Sequence, residues 1–281
     1  MNMEPKYEIV EKRCIDCGKA FDSKVFSILS VKRSFDGGRC PDCRAAWADH
    51  SKAAEHAARE LEYAKVRLQF KNQSGIPPRY IERTFEQFDK GWRGDAYQDC
   101  IKYADNFPIS DPRKYKSLVL YSKGTWGVGK SFLAAAIGNR IIERWKGERC
   151  GCPIYFISEP DLFRSIRATY SYNNEEKVRL DSEEDIINRC IGVKLLILDD
   201  VGKESVGDMT FVQRILFAII NGRYNAYLPM VITANLDIDE MRLHLGANVG
   251  NEAAYDRIIE MSGGLSIKMA GKSFRRIQKL E

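Results

Sequence analysis

Residues Gly124-Thr125-Trp126-Gly127-Val128-Gly129-Lys130-Ser131 form a complete G-x-x-x-x-G-K-[ST] loop. Its glycines allow a tight turn, so that successive backbone N–H groups point inward at an anion. Lys130 then reaches the β- and γ-phosphates of a nucleotide, and the Ser131 hydroxyl ligates Mg²⁺. Thr125, Trp126 and Val128 take part through their backbone, so the bulk of Trp126 carries little information. The flanks agree with this reading. Ser117 to Tyr121 is a short apolar run that reads as a strand. Phe132 to Ile142 reads as a helix whose N-terminus faces the phosphates. The expected ligand is ATP with Mg²⁺.

Further along, Lys194 to Asp200 is an apolar strand that ends in two acids. A strand buried on both faces explains a continuous apolar run. Asp199 is placed to hold Mg²⁺, directly or through water, and Asp200 is the candidate to orient or deprotonate an attacking water. Phe211 to Ala226 reads as a helix. Leu228 to Thr233 reads as another buried strand and runs into Ala234-Asn235. Asn235 is either a contact to the γ-phosphate or the lytic water, or a plain turn residue. The fold class expected is α/β, a parallel sheet flanked by helices.

The chain has 281 residues, 44% hydrophobic and 30% charged, with a formal net charge of +5. That is the composition of a globular protein long enough for one sizeable core and a smaller module. No apolar run approaches membrane-spanning length, and Met1 to Tyr7 lacks the apolar core of a signal peptide. A cytoplasmic protein is expected. The last 21 residues carry five basic side chains, Lys268, Lys272, Arg275, Arg276 and Lys279, against Glu281 alone. They are either a nucleic-acid or phosphate surface or a solvated tail.

Eight cysteines in such a chain point to metal ligation or free thiols rather than disulfides. Cys14-Ile-Asp-Cys17 and Cys40-Pro-Asp-Cys43 make two knuckles with the spacing of a closed tetrahedral Zn²⁺ site. Gly18 follows the first knuckle, where the chain must turn, and Phe21 to Leu29 reads as a strand or hairpin. The whole reads as a zinc ribbon whose metal is structural. Cys150 and Cys152 are a weaker pair, Cys100 and Cys190 read as core residues, and His50 and His56 as solvated. Arg44 to Lys71 lacks Gly and Pro and favours helix. Its stripe of Trp47, Ala54, Leu61 and Leu68 docks either on a partner or on this chain itself. Gln73 to Pro78 breaks the helix. The expected organisation is a zinc ribbon at 1–46, a linker helix at 47–72, a linker at 73–93 and an ATPase domain at 94–281.

Taken together, Ile76-Pro-Pro-Arg-Tyr80, Thr84-Phe85, the loop at 124–131, Leu195 to Gly202, Ile232 to Asn235 and Asp256-Arg-Ile258 resemble the DnaC/DnaI group of helicase loaders. The resemblance covers residues 76–281. It implies an AAA+ P-loop NTPase without a C-terminal lid domain. Such a protein uses ATP hydrolysis at a subunit interface to load a ring-shaped, DnaB-type replicative helicase onto single-stranded DNA at replication initiation. By that resemblance Asn235 takes the sensor-1 role, Arg257 is the arginine finger of a neighbouring subunit, and Arg275 is the sensor-2 arginine, with Arg276 as a substitute. The implied partners are the helicase, single-stranded DNA and further copies of the chain, with no membrane. DnaI-like loaders also carry an N-terminal zinc module that contacts the helicase.

Asp200 departs from the pattern, because most AAA+ proteins have the longer Glu there. Leu162 to Tyr172 joins Arg164 and Arg167 to Tyr170 and Tyr172. It reads either as a single-strand contact or as a solvated arginine face with core tyrosines. An alternative function on the same fold is a transposition helper ATPase of the IstB type, with a different N-terminal DNA-binding region. A zinc-containing adaptor with a nucleotide pocket that only switches is a third.

Overall fold

The computed structural model describes residues 7–28, 31–88, 94–173, 179–202, 209–246, 249–271 and residue 273. The chain divides into two compact units, Met1–Ala64 and Lys65–Glu281.

In the first unit, β1 (Tyr7–Arg13), β2 (Ala20–Ile28) and β3 (Val31–Ser34) form an antiparallel sheet in that order. The first cysteine knuckle closes the β1–β2 hairpin. The Gly18 N–H donates to the Cys14 carbonyl at 2.9 Å. Gly18 sits at φ +73°, a left-handed conformation that glycine adopts without steric cost. The helix expected from Arg44 begins earlier, as α1 (Pro41–Gln73). Proline suits a first helical turn, where its missing N–H would have no partner. Cys43 therefore lies in that first turn. The stripe of Trp47, Ala54, Leu61 and Leu68 is exposed. Near its end the helix is fixed by other residues. Phe70 is buried edge-on against Trp145, and Arg67 Nε donates to the Trp145 carbonyl at 2.8 Å.

Among the described residues the second unit holds five strands, β4 (Leu118–Tyr121), β5 (Ile154–Ser158), β6 (Leu195–Val201), β7 (Met230–Ala234) and β8 (Ser266–Lys268). They pair in parallel in the order β5-β6-β7-β4-β8. Parallel neighbours need crossover connections. These run through α3 (Lys130–Arg144), α4 (Glu159–Thr169), α5 (Glu183–Gly192), α6 (Met209–Asn225), α7 (Ile238–His244) and α8 (Ala253–Ser262). A further helix, α2 (Asp95–Asn106), precedes β4 and packs beside α3. The apolar runs read as strands are the buried centre of this sheet, with Leu195 to Leu198 and Met230 to Ile232 nearly inaccessible.

The segment after α1 packs closely on this unit as far as it is described. The Phe156 N–H donates to the Ser74 carbonyl at 2.7 Å, at the edge of β5. Asn139 Nδ2, on α3, donates to the carbonyls of Tyr80 at 2.9 Å and Arg83 at 2.8 Å. Phe85 and Phe88 are buried, and the Phe88 ring stacks on Tyr97 and leans on Phe132. Among the described residues no helix is long and apolar enough to cross a membrane.

Candidate functional site

The glycine-rich loop leaves the end of β4 and runs into α3. Gly124, Gly127 and Gly129 all have positive φ, which turns the chain tightly enough to expose consecutive N–H groups. Gly129 is also steric: a Cβ there would lie 2.6 Å from the Phe88 ring. Val128 is buried, while Trp126 is 63% exposed, so the loop is held by its backbone rather than by its largest side chain. Lys130 starts α3 and is itself buried. Its ammonium donates to Ser122 Oγ at 2.5 Å and to Asn235 Oδ1 at 2.9 Å. Ser122 in turn donates to the Thr125 carbonyl at 2.8 Å and so ties the loop to the strand.

The two acids lie across the sheet from this lysine. Asp199 is buried at the end of β6, and its carboxylate accepts the Thr233 hydroxyl at 2.5 Å. Burial pushes the Asp199 carboxyl above its ordinary value, and the hydroxyls of Thr233 and Ser131 pull it back. Consecutive residues of a regular strand point to opposite faces. Here the regularity breaks. The β6–β7 register jumps from Leu198–Ile232 to Val201–Ala234, and Asp200 takes φ +58°. With that kink the Asp200 carboxylate accepts Asn235 Nδ2 at 3.2 Å. Asn235 therefore bridges Lys130 and Asp200 through its two amide atoms. Beyond the acids, the Gly202 N–H donates to Glu159 Oε2 at 2.5 Å, and His244 Nε2 lies 2.6 Å from Glu159 Oε1. Sequence reading missed Thr233, Glu159 and His244, since no spacing rule links them to the loop.

In the first unit, the Sγ atoms of Cys14, Cys17, Cys40 and Cys43 all lie within 4.8 Å of one another. Cys17 and Cys40 are 3.7 Å apart. A tetrahedron with Zn–S bonds of about 2.3 Å has sulfur–sulfur edges of about 3.8 Å. The cluster thus fits a zinc ribbon. Hydrogen bonds, foremost from the Cys40 backbone, draw Cys14 down to about 6, whereas Cys17 and the neighbouring thiols push Cys43 up. One thiolate forms easily, and further negative charge in the cluster calls for a cation.

The model of the family described as "IstB-like ATP binding protein" matches residues 48–281. The chain belongs to this family. The replicative helicase loader DnaC of Escherichia coli K12 is 26% identical over 207 residues, 73% of this chain and 76% of DnaC. The replicative helicase loader DnaI of Bacillus subtilis 168 is 26% identical over 64% of this chain, which spans 54% of DnaI. Among solved structures, one titled as DnaI aligns with a TM-score of 0.50 and 22% identity, over 70% of this chain and 93% of that one. One titled as the DnaC helicase loader gives a TM-score of 0.50 and 21% identity, over 69% and 100%. The parallel sheet is thus the fold of those loaders.

The remaining candidate residues sit on other elements or fall outside the described residues. Arg257, on α8, donates through Nη1 to the Ala253 carbonyl at 2.9 Å. Its guanidinium lies over the rings of Phe217 and Tyr224 at 5.2 and 5.4 Å. Neither nearby carboxylate takes it, because Glu252 pairs with Arg242 and Glu260 accepts the Tyr224 hydroxyl. Arg275 and Arg276 fall outside the described residues. On α4, Arg164 pairs with Asp161 and Arg167 lies over Phe211. The Tyr170 hydroxyl donates to Glu183, which also pairs with Arg214.

Proposed function

We propose that this protein is an ATP-dependent loader of a ring-shaped, DnaB-type replicative helicase onto single-stranded DNA. The observation that carries the reading is the connected set Lys130, Asn235, Asp200, Thr233 and Asp199 beside a complete phosphate loop, in a chain related to DnaC and DnaI. The backbone of residues 124–131 and the Lys130 ammonium bind the β- and γ-phosphates. Ser131 and Asp199 hold Mg²⁺, which supplies positive charge against the phosphate oxygens. Asp200 orients or deprotonates the attacking water. Asn235 now holds Lys130 with one atom and Asp200 with the other. When Lys130 turns to a phosphate, Asn235 is released to sense it. Arg257, which packs over Phe217 and Tyr224, serves the nucleotide of a neighbouring copy, and Arg275 completes the site in the sensor-2 role. The four cysteines hold a structural Zn²⁺ in residues 1–46, the helix at 47–72 and the stretch at 73–93 connect it to the ATPase domain at 94–281, and the protein works in the cytoplasm.

The family description also supports a second reading, a transposition helper of the IstB type that binds duplex DNA. One experiment separates them. The purified full chain is offered a replicative helicase and duplex DNA, with ATP. Retention of the helicase and its transfer to single-stranded DNA are expected. Tight duplex binding with no helicase retained would overturn the loader reading.

A further inference from the structure

Thr233 lies inside β7, fully buried, and a hydroxyl in such a place costs stability unless it is hydrogen-bonded. A hydroxyl has one proton to give. Here it goes to Asp199 Oδ1 at 2.5 Å, and the oxygen accepts the Asp200 N–H at 2.9 Å. One side chain therefore touches both acids, the first through its carboxylate and the second through its backbone. The β6–β7 ladder omits Thr233 on one strand and Asp199 and Asp200 on the other. The hydroxyl takes over the hydrogen bond that the broken ladder no longer supplies. It does so where Asp200 is in a left-handed conformation, which is unfavourable for a non-glycine residue.

We propose that Thr233 is a positioning residue: its hydroxyl sets the carboxylate of Asp199 for Mg²⁺ and fixes the kinked backbone that aims Asp200. This rests on the ATPase reading above. Thr233 acts through the two acids, its hydroxyl bonded to the carboxylate of one and to the backbone of the other. Thr233→Val keeps the shape and removes the hydroxyl, whereas Thr233→Ser keeps the hydroxyl.

The test uses full-length protein and two readouts. Affinity for a fluorescent ATP analogue is measured in EDTA and across a Mg²⁺ titration, and ATP turnover is measured at saturating Mg²⁺. For Thr233→Val, affinity in EDTA stays as in the wild type. The Mg²⁺ requirement rises and turnover falls by about tenfold to a hundredfold, the usual effect of losing a partner that orients a metal ligand. Thr233→Ser restores both. In an Asp199→Asn background, Thr233→Val adds little further loss of Mg²⁺-dependent affinity, because the partner it orients is already gone. A folded Thr233→Val protein with wild-type Mg²⁺ requirement and turnover would overturn the proposal. So would a folded Thr233→Ser protein as impaired as Thr233→Val. If Thr233→Val does not fold, Thr233→Ala is compared with Thr233→Ser by the same readouts and the same criteria. Wild-type protein without Mg²⁺-dependent nucleotide binding would instead sink the ATPase reading, and Thr233 with it.

Discussion

At the scale of single residues, the site depends on backbone conformations that side chains normally avoid. Gly129 combines φ +92° with a ring 2.6 Å from where a Cβ would stand. Gly129→Ala meets both penalties at once, and we expect a loss of about 1–3 kcal/mol with weakened nucleotide binding. Adding Phe88→Leu should restore part of the stability, since it frees space but leaves the φ penalty. Urea denaturation and nucleotide titration check this; wild-type behaviour of the single variant would show that the loop relaxes freely. Two further substitutions separate binding from chemistry. Lys130→Ala removes the charge that faces the phosphates and should abolish nucleotide binding. Asp200→Asn leaves binding intact and slows hydrolysis, and Asn tolerates the left-handed backbone well. Equal ATP affinity in Lys130→Ala and wild type would refute the assignment of the pocket.

Among the elements, α3 does more than present the loop. Its Asn139 holds the carbonyls of Tyr80 and Arg83, and so clasps the segment whose Phe88 covers Gly129. Asn139→Leu leaves those carbonyls without their donor, at a cost of about 1–3 kcal/mol. The urea midpoint should fall. Trypsin should also cut more readily after the exposed Arg79 and Arg83, and an unchanged cleavage rate would mean that the clasp is not what holds the segment. The strands and helices around the loop were legible because each carries its own pattern: Leu195 to Leu198 is apolar on both faces, and α3 follows a glycine loop. The stretch at 73–93 reads as a linker because its prolines and Gly75 exclude long regular structure, although Ser74, Ile76, Phe85 and Phe88 are buried. Strand β8 is three residues long, Ser-Ile-Lys, too short to show a period.

For the whole molecule, the separation into two units has a direct consequence. Purified protein should hold close to one zinc per chain, and Cys40→Ser should lose it. Nucleotide binding should survive that loss, because the loop belongs to the other unit. A folded, metal-free first unit in wild-type protein would refute the zinc assignment. We propose that Arg257, which packs over Phe217 and Tyr224, acts on a neighbour's nucleotide. In a mixture of Arg257→Ala and Lys130→Ala with single-stranded DNA, one kind of interface joins an intact loop to an intact finger. ATPase activity should therefore recover, given that an arginine finger contributes about a thousandfold or more to the rate. No recovery despite demonstrated co-assembly would count against a shared site.

Asn235 was open in the sequence between a phosphate contact and a plain turn residue, whereas the phosphate loop, the strand that ends in Asp199 and Asp200 and the cysteine knuckles could be read from the chain alone. Each is a short-range pattern in which residue type and spacing already state the chemistry: glycines for positive φ, a lysine at a helix start, two-residue gaps that let paired thiols reach one ion. The strand order, the clasp of 74–88 on α3 and the contacts of Thr233, Glu159 and His244 were decided only by the tertiary structure. Thr233 lies 34 positions from Asp199, and Glu159 lies 43 from Gly202. Nothing local distinguishes a buried threonine that holds two acids from one that fills a strand. The difference arises when β6 kinks beside β7 and the Asp200 N–H and the buried Asp199 carboxylate both take the Thr233 hydroxyl as partner in the packed core.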